Sequence, residues 1–183
     1  MKKILIVVDV QNDFIDGALR NEEAIKRVPN IVEEIKNFDG DCIICTYDTH
    51  HENYLETMEG KRLPVPHCIK GTNGWEYNKE IDDVLHNNKA LKIVISKKTF
   101  GYDNWKEVFK DVKKKFSYKE DSELEIEVLG FCTDICVISN TLAIKATVPN
   151  ARIVVKESCC AGVTPERHQN ALEAMKCCHI DII

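Results

Sequence analysis

Glu125-Ile-Glu-Val-Leu-Gly130-Phe-Cys-Thr-Asp-Ile-Cys136-Val137 passes from a short β-rich run, closed by glycine, into a stretch that starts a helix around Thr133-Asp134. Strand, tight passage, then helix is the unit from which parallel sheets are wound. The alternation extends in both directions along the chain. Strands are expected at 4–8, 41–46, 91–96, 125–130, 151–156 and near 179–183, with helices at 22–37, 79–86, 104–116, 134–146 and 165–177. In the first helix Ala24, Ile25, Val28, Ile31, Val32 and Ile35 recur at helical period. The last helix opens on Thr164-Pro165-Glu166, a capping residue followed by proline at the first helical position. The predicted fold class is therefore α/β: a mostly parallel six-stranded sheet in a three-layer α/β/α arrangement.

The chain has 183 residues, 44% hydrophobic and 30% charged, which fits one soluble domain over 1–183 with a sizeable core. A net charge of -5 opposes a nucleic-acid surface, which needs a basic face. The apolar start at 4–8 is interrupted by Asp9, Asn12, Asp13 and Asp16, too soon for a signal or membrane segment. A cytoplasmic protein with a small-molecule partner, and with neither nucleic acid nor membrane, is expected; the sequence leaves a homo-oligomer open. The nine cysteines are odd in number and lie mostly in apolar stretches, as small core hydrophobes do in a reducing compartment.

Open parallel sheets bind ligands beyond the carboxyl ends of their strands. Asp9, Asp48 with His50, Lys97, and the pair Cys132 and Cys136 all follow a strand. A cysteine in the first turn of a helix sits at the positive end of the backbone dipole, which favours thiolate. Unpaired N–H groups at the same turn can hold an oxyanion, so Cys136 has the setting of a nucleophile and Cys132 that of a backbone donor. A lysine nearby, Lys97 or its neighbour Lys98, lowers a thiol pKa, and a carboxylate such as Asp9 can move the proton to a leaving amine. Taken singly, each residue also reads as packing, a turn aspartate or a surface lysine.

Asp9-Val-Gln-Asn-Asp-Phe14, Lys97-Lys-Thr-Phe-Gly101 and Gly130-Phe-Cys-Thr-Asp-Ile-Cys136-Val137 resemble, in order, the signature segments of the isochorismatase-like cysteine hydrolases. The resemblance extends from the first strand through Glu166 and His168. It implies that family's Rossmann-like strand order, a catalytic triad of Asp9, Lys97 and Cys136, a cis peptide from Phe131 to Cys132, and an oxyanion hole from the N–H groups of Cys132 and Cys136. Relatives often carry alanine where this chain has Cys132.

The stretch 48–76 carries histidines, prolines and glycines without a clear period, and loops of that length are usually functional. Asp48-Thr-His50 places a carboxylate and an imidazole on one side of an extended segment, and His67 follows in Pro64-Val-Pro-His67-Cys-Ile-Lys-Gly-Thr72. Two histidines and one carboxylate form a catalytic metal set with open positions. This pattern resembles the nicotinamidase branch, which implies one divalent metal ion, with zinc first and iron or manganese as alternatives. Glu59 is a weaker fourth ligand, His51 points away, and Cys68 is left out. The resemblance further implies a place in NAD salvage, with nicotinamide and water converted to nicotinate and ammonia through a thioester on Cys136. Phe14, Trp75 and Phe100 are expected to wall the substrate pocket. The competing readings are a metal-independent amidohydrolase of the same superfamily acting on an N-carbamoyl or ureido substrate, and a non-catalytic zinc or redox-sensing protein.

Overall fold

The apolar runs form the deepest part of the molecule: residues 4–8 are fully buried, as befits a strand covered on both faces. The computed structural model describes residues 1–183. Strands β1 (Lys2–Val8), β2 (Cys42–Asp48), β3 (Leu91–Lys97), β4 (Leu124–Phe131), β5 (Arg152–Ala161) and β6 (Asp181–Ile182) form one sheet in the order β3-β2-β1-β4-β5-β6. Every pairing is parallel, so the sheet expected to be mostly parallel is wholly so. Helices α1 (Glu22–Asn37), α2 (Met58–Arg62), α3 (Lys79–Asn87), α4 (Trp105–Phe116), α5 (Ile138–Thr147) and α6 (Pro165–Cys177) flank it. No helix is long and apolar enough to cross a membrane.

Helix α1 shows how packing overrides propensity. Pro29 lies inside it, which removes a backbone donor and costs about 3 kcal/mol in a helix interior. Pro29 is exposed, while Ala24, Val28, Ile31 and Ile35 on the other face are buried. Each fully buried large aliphatic side chain contributes about 1.5–3 kcal/mol, so the apolar face outweighs the proline. Asn21 caps the start by accepting from the N–H groups of Glu23 and Ala24.

Besides shifts of a few residues at other ends, three departures from the sequence expectation stand out. Strand β5 runs on to Ala161, past the half-buried Glu157 and exposed Ser158 that break its apolar run, with a register shift opposite Val128 and Gly130. The last strand is only two residues long. The stretch 48–76 contains a turn of 3₁₀ helix at Tyr54–Glu56 and the short helix α2, too brief to leave a periodic signal.

The strand order reverses between β1 and β4, and a crevice opens outside the carboxyl ends of such neighbours. Gly130 marks that point. It pairs with Val8 at a φ of +124°, where a Cβ would collide with the Val8 carbonyl oxygen. Gly130→Ala is expected to lower stability by about 2–3 kcal/mol, the scale of a forbidden backbone conformation, read as a fall in urea midpoint at unchanged slope.

Candidate active site

The period of a strand selects the lysine. Lys97 is the last residue of β3 and turns inward, whereas Lys98 is exposed. The Lys97 side chain is 0% exposed, with Nζ 2.7 Å from Asp9 Oδ2, 3.5 Å from Asp48 Oδ1 and 3.6 Å from Cys136 Sγ. Asp9 leaves β1 in the left-handed region, at φ 47°, and its Oδ1 accepts from the Thr46 hydroxyl at 2.7 Å. Asp9 Oδ2 is held by the Lys97 ammonium, the shortest of the three contacts Nζ makes. Cys136 lies in a turn of π-helix, Thr133–Val137, that leads into α5.

Burial decides the protonation states. It pushes the Cys136 thiol well above its ordinary value, and the Lys97 charge opposes this without reversing it. The lowering expected from a nearby lysine is present, but desolvation works against it and is the larger effect on the thiol. Burial also raises the Asp9 carboxyl, against the pull of Lys97. Burial alone would lower Lys97, but the carboxylates of Asp9 and Asp48 hold it charged. Thiol and carboxyl have therefore moved in the same direction.

The peptide bond between Phe131 and Cys132 is cis. The Cys132 carbonyl accepts from the N–H groups of Ile135 and Val137, at 3.1 and 3.0 Å, while its own N–H has no partner in the protein. A free donor thus lies at the start of the turn that carries Cys136.

A second cluster adjoins the first. Asp48, His50, Glu59 and His67 bring one ligand atom each within 4.8 Å of one another, a set able to hold a metal ion. Asp48 Oδ2 is 3.1 Å from His50 Nε2 and 3.5 Å from His67 Nε2, and Glu59 Oε1 is 3.5 and 3.7 Å from the same nitrogens. The Val65 carbonyl takes His67 Nδ1 at 2.9 Å and turns Nε2 inward, the outer contact that ligating histidines make. Burial pulls the His50 imidazole down, but Asp48 and Glu59 outweigh it and push it up to about 9. Burial works upward on Asp48, yet His50, His67 and Lys97 hold it well below the carboxylate range. Such a cluster favours positive charge at its centre, and its nitrogen and oxygen donors fit a divalent ion.

Both clusters open into one cleft of about 770 Å³, lined among others by Asp48, His67, Cys132, Cys136, Phe14 and Phe100. Glu59 joins this lining from α2, whose Thr57 cap accepts from the Gly60 N–H. Trp75 does not line it. Its indole donates to Thr49 Oγ1 at 2.9 Å and packs on Tyr47, facing a separate depression, so the pocket role expected for Trp75 is withdrawn. His51 is exposed, away from the cluster. Cys68 is buried and outside the ligand set. Cys42 and Cys45, three apart on a strand, point to opposite faces of the sheet and cannot share an ion.

Four polar residues that sequence reasoning passed over organise the site. Gln11 donates to the carbonyls of Asp48 and Trp75 and accepts from the Asp48 N–H, tying a metal-cluster residue to the segment that follows β1. Asp13 accepts from the N–H of Cys68. Asn140 donates to the carbonyls of Cys136 and Phe100 and accepts from Tyr102 N and Trp105 Nε1. His168 Nδ1 is 2.8 Å from the Thr133 hydroxyl. Gln11 and Asp13 stand in the segment that supplied Asp9, and that proximity was the available signal.

Comparison with known proteins shows the family and the fold. The family model described as the Isochorismatase domain matches residues 3–183. The isochorismatase family protein PncA of Bacillus subtilis (strain 168) is 32% identical over 178 residues, 94% of this chain and 93% of that one. The structure of a pyrazinamidase/nicotinamidase from Streptococcus mutans superposes with a TM-score of 0.84 at 26% identity, covering 100% of both chains. The Pyrococcus horikoshii pyrazinamidase, solved in complex with zinc, shares the fold with a TM-score of 0.75 at 24% identity over 100% of this chain and 99% of that one.

His168 provides a pH test of the packing behind the turn that carries Cys136. It is buried, and burial lowers its pKa from the ordinary 6.5, with Glu157 opposing. The unfolded chain then binds the proton more readily, so this contribution is complete above the ordinary value and is lost as pH falls through the folded one. Urea midpoints at about pH 7.5 and about pH 5 are expected to fall further for the wild type than for His168→Gln.

Proposed function

The chain belongs to the isochorismatase family, and from that premise we propose that it is a nicotinamidase, hydrolysing nicotinamide to nicotinate and ammonia through a thioester on Cys136. The observation that carries this reading is the meeting of two centres in one cleft: a buried thiol with its lysine and carboxylate, and a two-histidine, two-carboxylate cluster beside it. A metal-independent amidohydrolase has no use for the second centre.

In the first half-reaction the Asp9 carboxylate takes the proton of Cys136, and the sulfur attacks the carboxamide carbon. Lys97 keeps its charge between the two and compensates the anion as it passes from carboxylate to thiolate. The oxyanion forms against the free N–H of Cys132, with the Cys136 N–H as second donor. Asp9 returns its proton to the leaving nitrogen, the C–N bond breaks, and ammonia departs. In the second half Asp9 accepts a proton from water as it adds to the thioester, and collapse releases the acid and the thiol. Phe14 and Phe100 offer apolar walls to the ring.

Asp48, His50, Glu59 and His67 would hold one divalent ion, zinc by preference among zinc, iron and manganese. Bound there it would supply Lewis acidity, able to lower the pKa of water and to take a heterocyclic nitrogen as ligand.

Cys136→Ala is expected to lower ammonia release from nicotinamide by on the order of 10⁴-fold or more, and Asp9→Asn by about 10²–10⁴-fold. Chelation is expected to abolish turnover, with recovery on adding zinc, iron(II) or manganese(II). The assay is ammonia release from nicotinamide beside a panel of N-carbamoyl compounds. A metal-reconstituted protein that leaves nicotinamide intact while hydrolysing an N-carbamoyl compound would overturn the proposal.

A further inference from the structure

Asp13 is buried and takes no part in the hydrolysis described above. Its carboxylate spends one oxygen on each of two distant backbone groups: Oδ1 accepts from the Ala18 N–H at 2.9 Å and Oδ2 from the Cys68 N–H at 2.8 Å. Its own backbone adds two more links, Asp13 N to the Gly74 carbonyl at 3.1 Å and Leu19 N to the Asp13 carbonyl at 2.8 Å. Gly17 and Gly74 make room for it, since a Cβ on either would overlap the carboxylate.

The two N–H groups belong to different parts of the site. Cys68 follows His67 directly and holds the left-handed conformation, φ 48°, that a residue with a side chain adopts only with support. Ala18 and Leu19 line the cleft. One carboxylate therefore ties the peptide behind a metal-cluster histidine to the wall of the substrate cleft. We propose that Asp13 is a positioning residue, setting His67 for a divalent cation and fixing the Ala18-Leu19 wall relative to it, so that metal affinity depends on a carboxylate outside the ligand set. This rests on the metal reading given above.

An amide does not replace this carboxylate. Both oxygens accept, so Asp13→Asn turns an NH₂ group against one of the two backbone donors. The test is Co(II) affinity of the metal-stripped full chain, measured by competition with a chelating dye. Asp13→Asn is compared with the wild type and with Val112→Ala, a core change on α4, each variant's stability being recorded by urea denaturation. Asp13→Asn is expected to bind Co(II) about 10–100-fold more weakly, the scale of losing an outer contact to a ligand, with Val112→Ala within about twofold of wild type. Equal affinity of Asp13→Asn and wild type, or an equal loss in Val112→Ala, overturns this assignment alone. A wild type that takes up no Co(II) overturns the metal reading together with it. If Asp13→Asn does not fold, Gly74→Ala, which crowds the carboxylate while keeping every hydrogen-bonding group, is read by the same criteria.

Discussion

Burying the Lys97 ammonium, with its side chain 0% exposed, costs several kcal/mol unless opposite charge accompanies it. The compensation comes from two carboxylates on two other strand ends, Asp9 after β1 and Asp48 at the end of β2. Parallel pairing makes this possible: Asp48 lies opposite Lys97 in register, and the Asp9 N–H bonds to the Thr46 carbonyl. The sheet thus brings three charges to one level without a long loop. Asp48 then faces two ways, Oδ1 to the lysine and Oδ2 to the histidines, and makes the thiol centre and the metal-binding cluster parts of one charge system.

That system also bears on the proton held by Cys136 in the proposed mechanism. In water the gap between a thiol and a carboxyl would leave Asp9 a poor base for Cys136. Burial raises both, and Lys97 opposes both rises. Proton transfer between them exchanges one anion beside the ammonium for another and creates no new buried charge. A resting thiolate is therefore unnecessary, and the apolar cleft costs the mechanism less than the raised thiol alone implies.

Much of this was legible in the sequence because it follows from period. Alternating apolar runs marked the six strands, and Asp9, Asp48 and Lys97 stand where those runs stop. The choice between Lys97 and Lys98 was open in sequence and is decided by side-chain alternation, since only one of two neighbours can face inward. What was not legible lies where period is absent. Glu59 arrives on a five-residue helix held by Thr57. Trp75 shares a loop with the histidines yet turns to Thr49 and Tyr47, because its indole N–H finds an acceptor there. Gln11 and Asp13 act through backbone partners 37 to 64 positions away, which composition does not register. The resting state of Cys136 depends on desolvation, a property of the packed interior rather than of any local segment.

The placement of the lysine carries one more consequence. Strand β3 is an outer strand of the sheet, paired only with β2, and exposes Val94 and Ser96. Edge strands open at lower free energy than central ones. The lysine of the proposed mechanism is thus anchored to the margin of the molecule, while most of the apolar mass lies further in. On the proposed mechanism, fraying of that margin would cost activity before it cost the interior, so durability of activity and durability of the fold are separate quantities to measure in this protein.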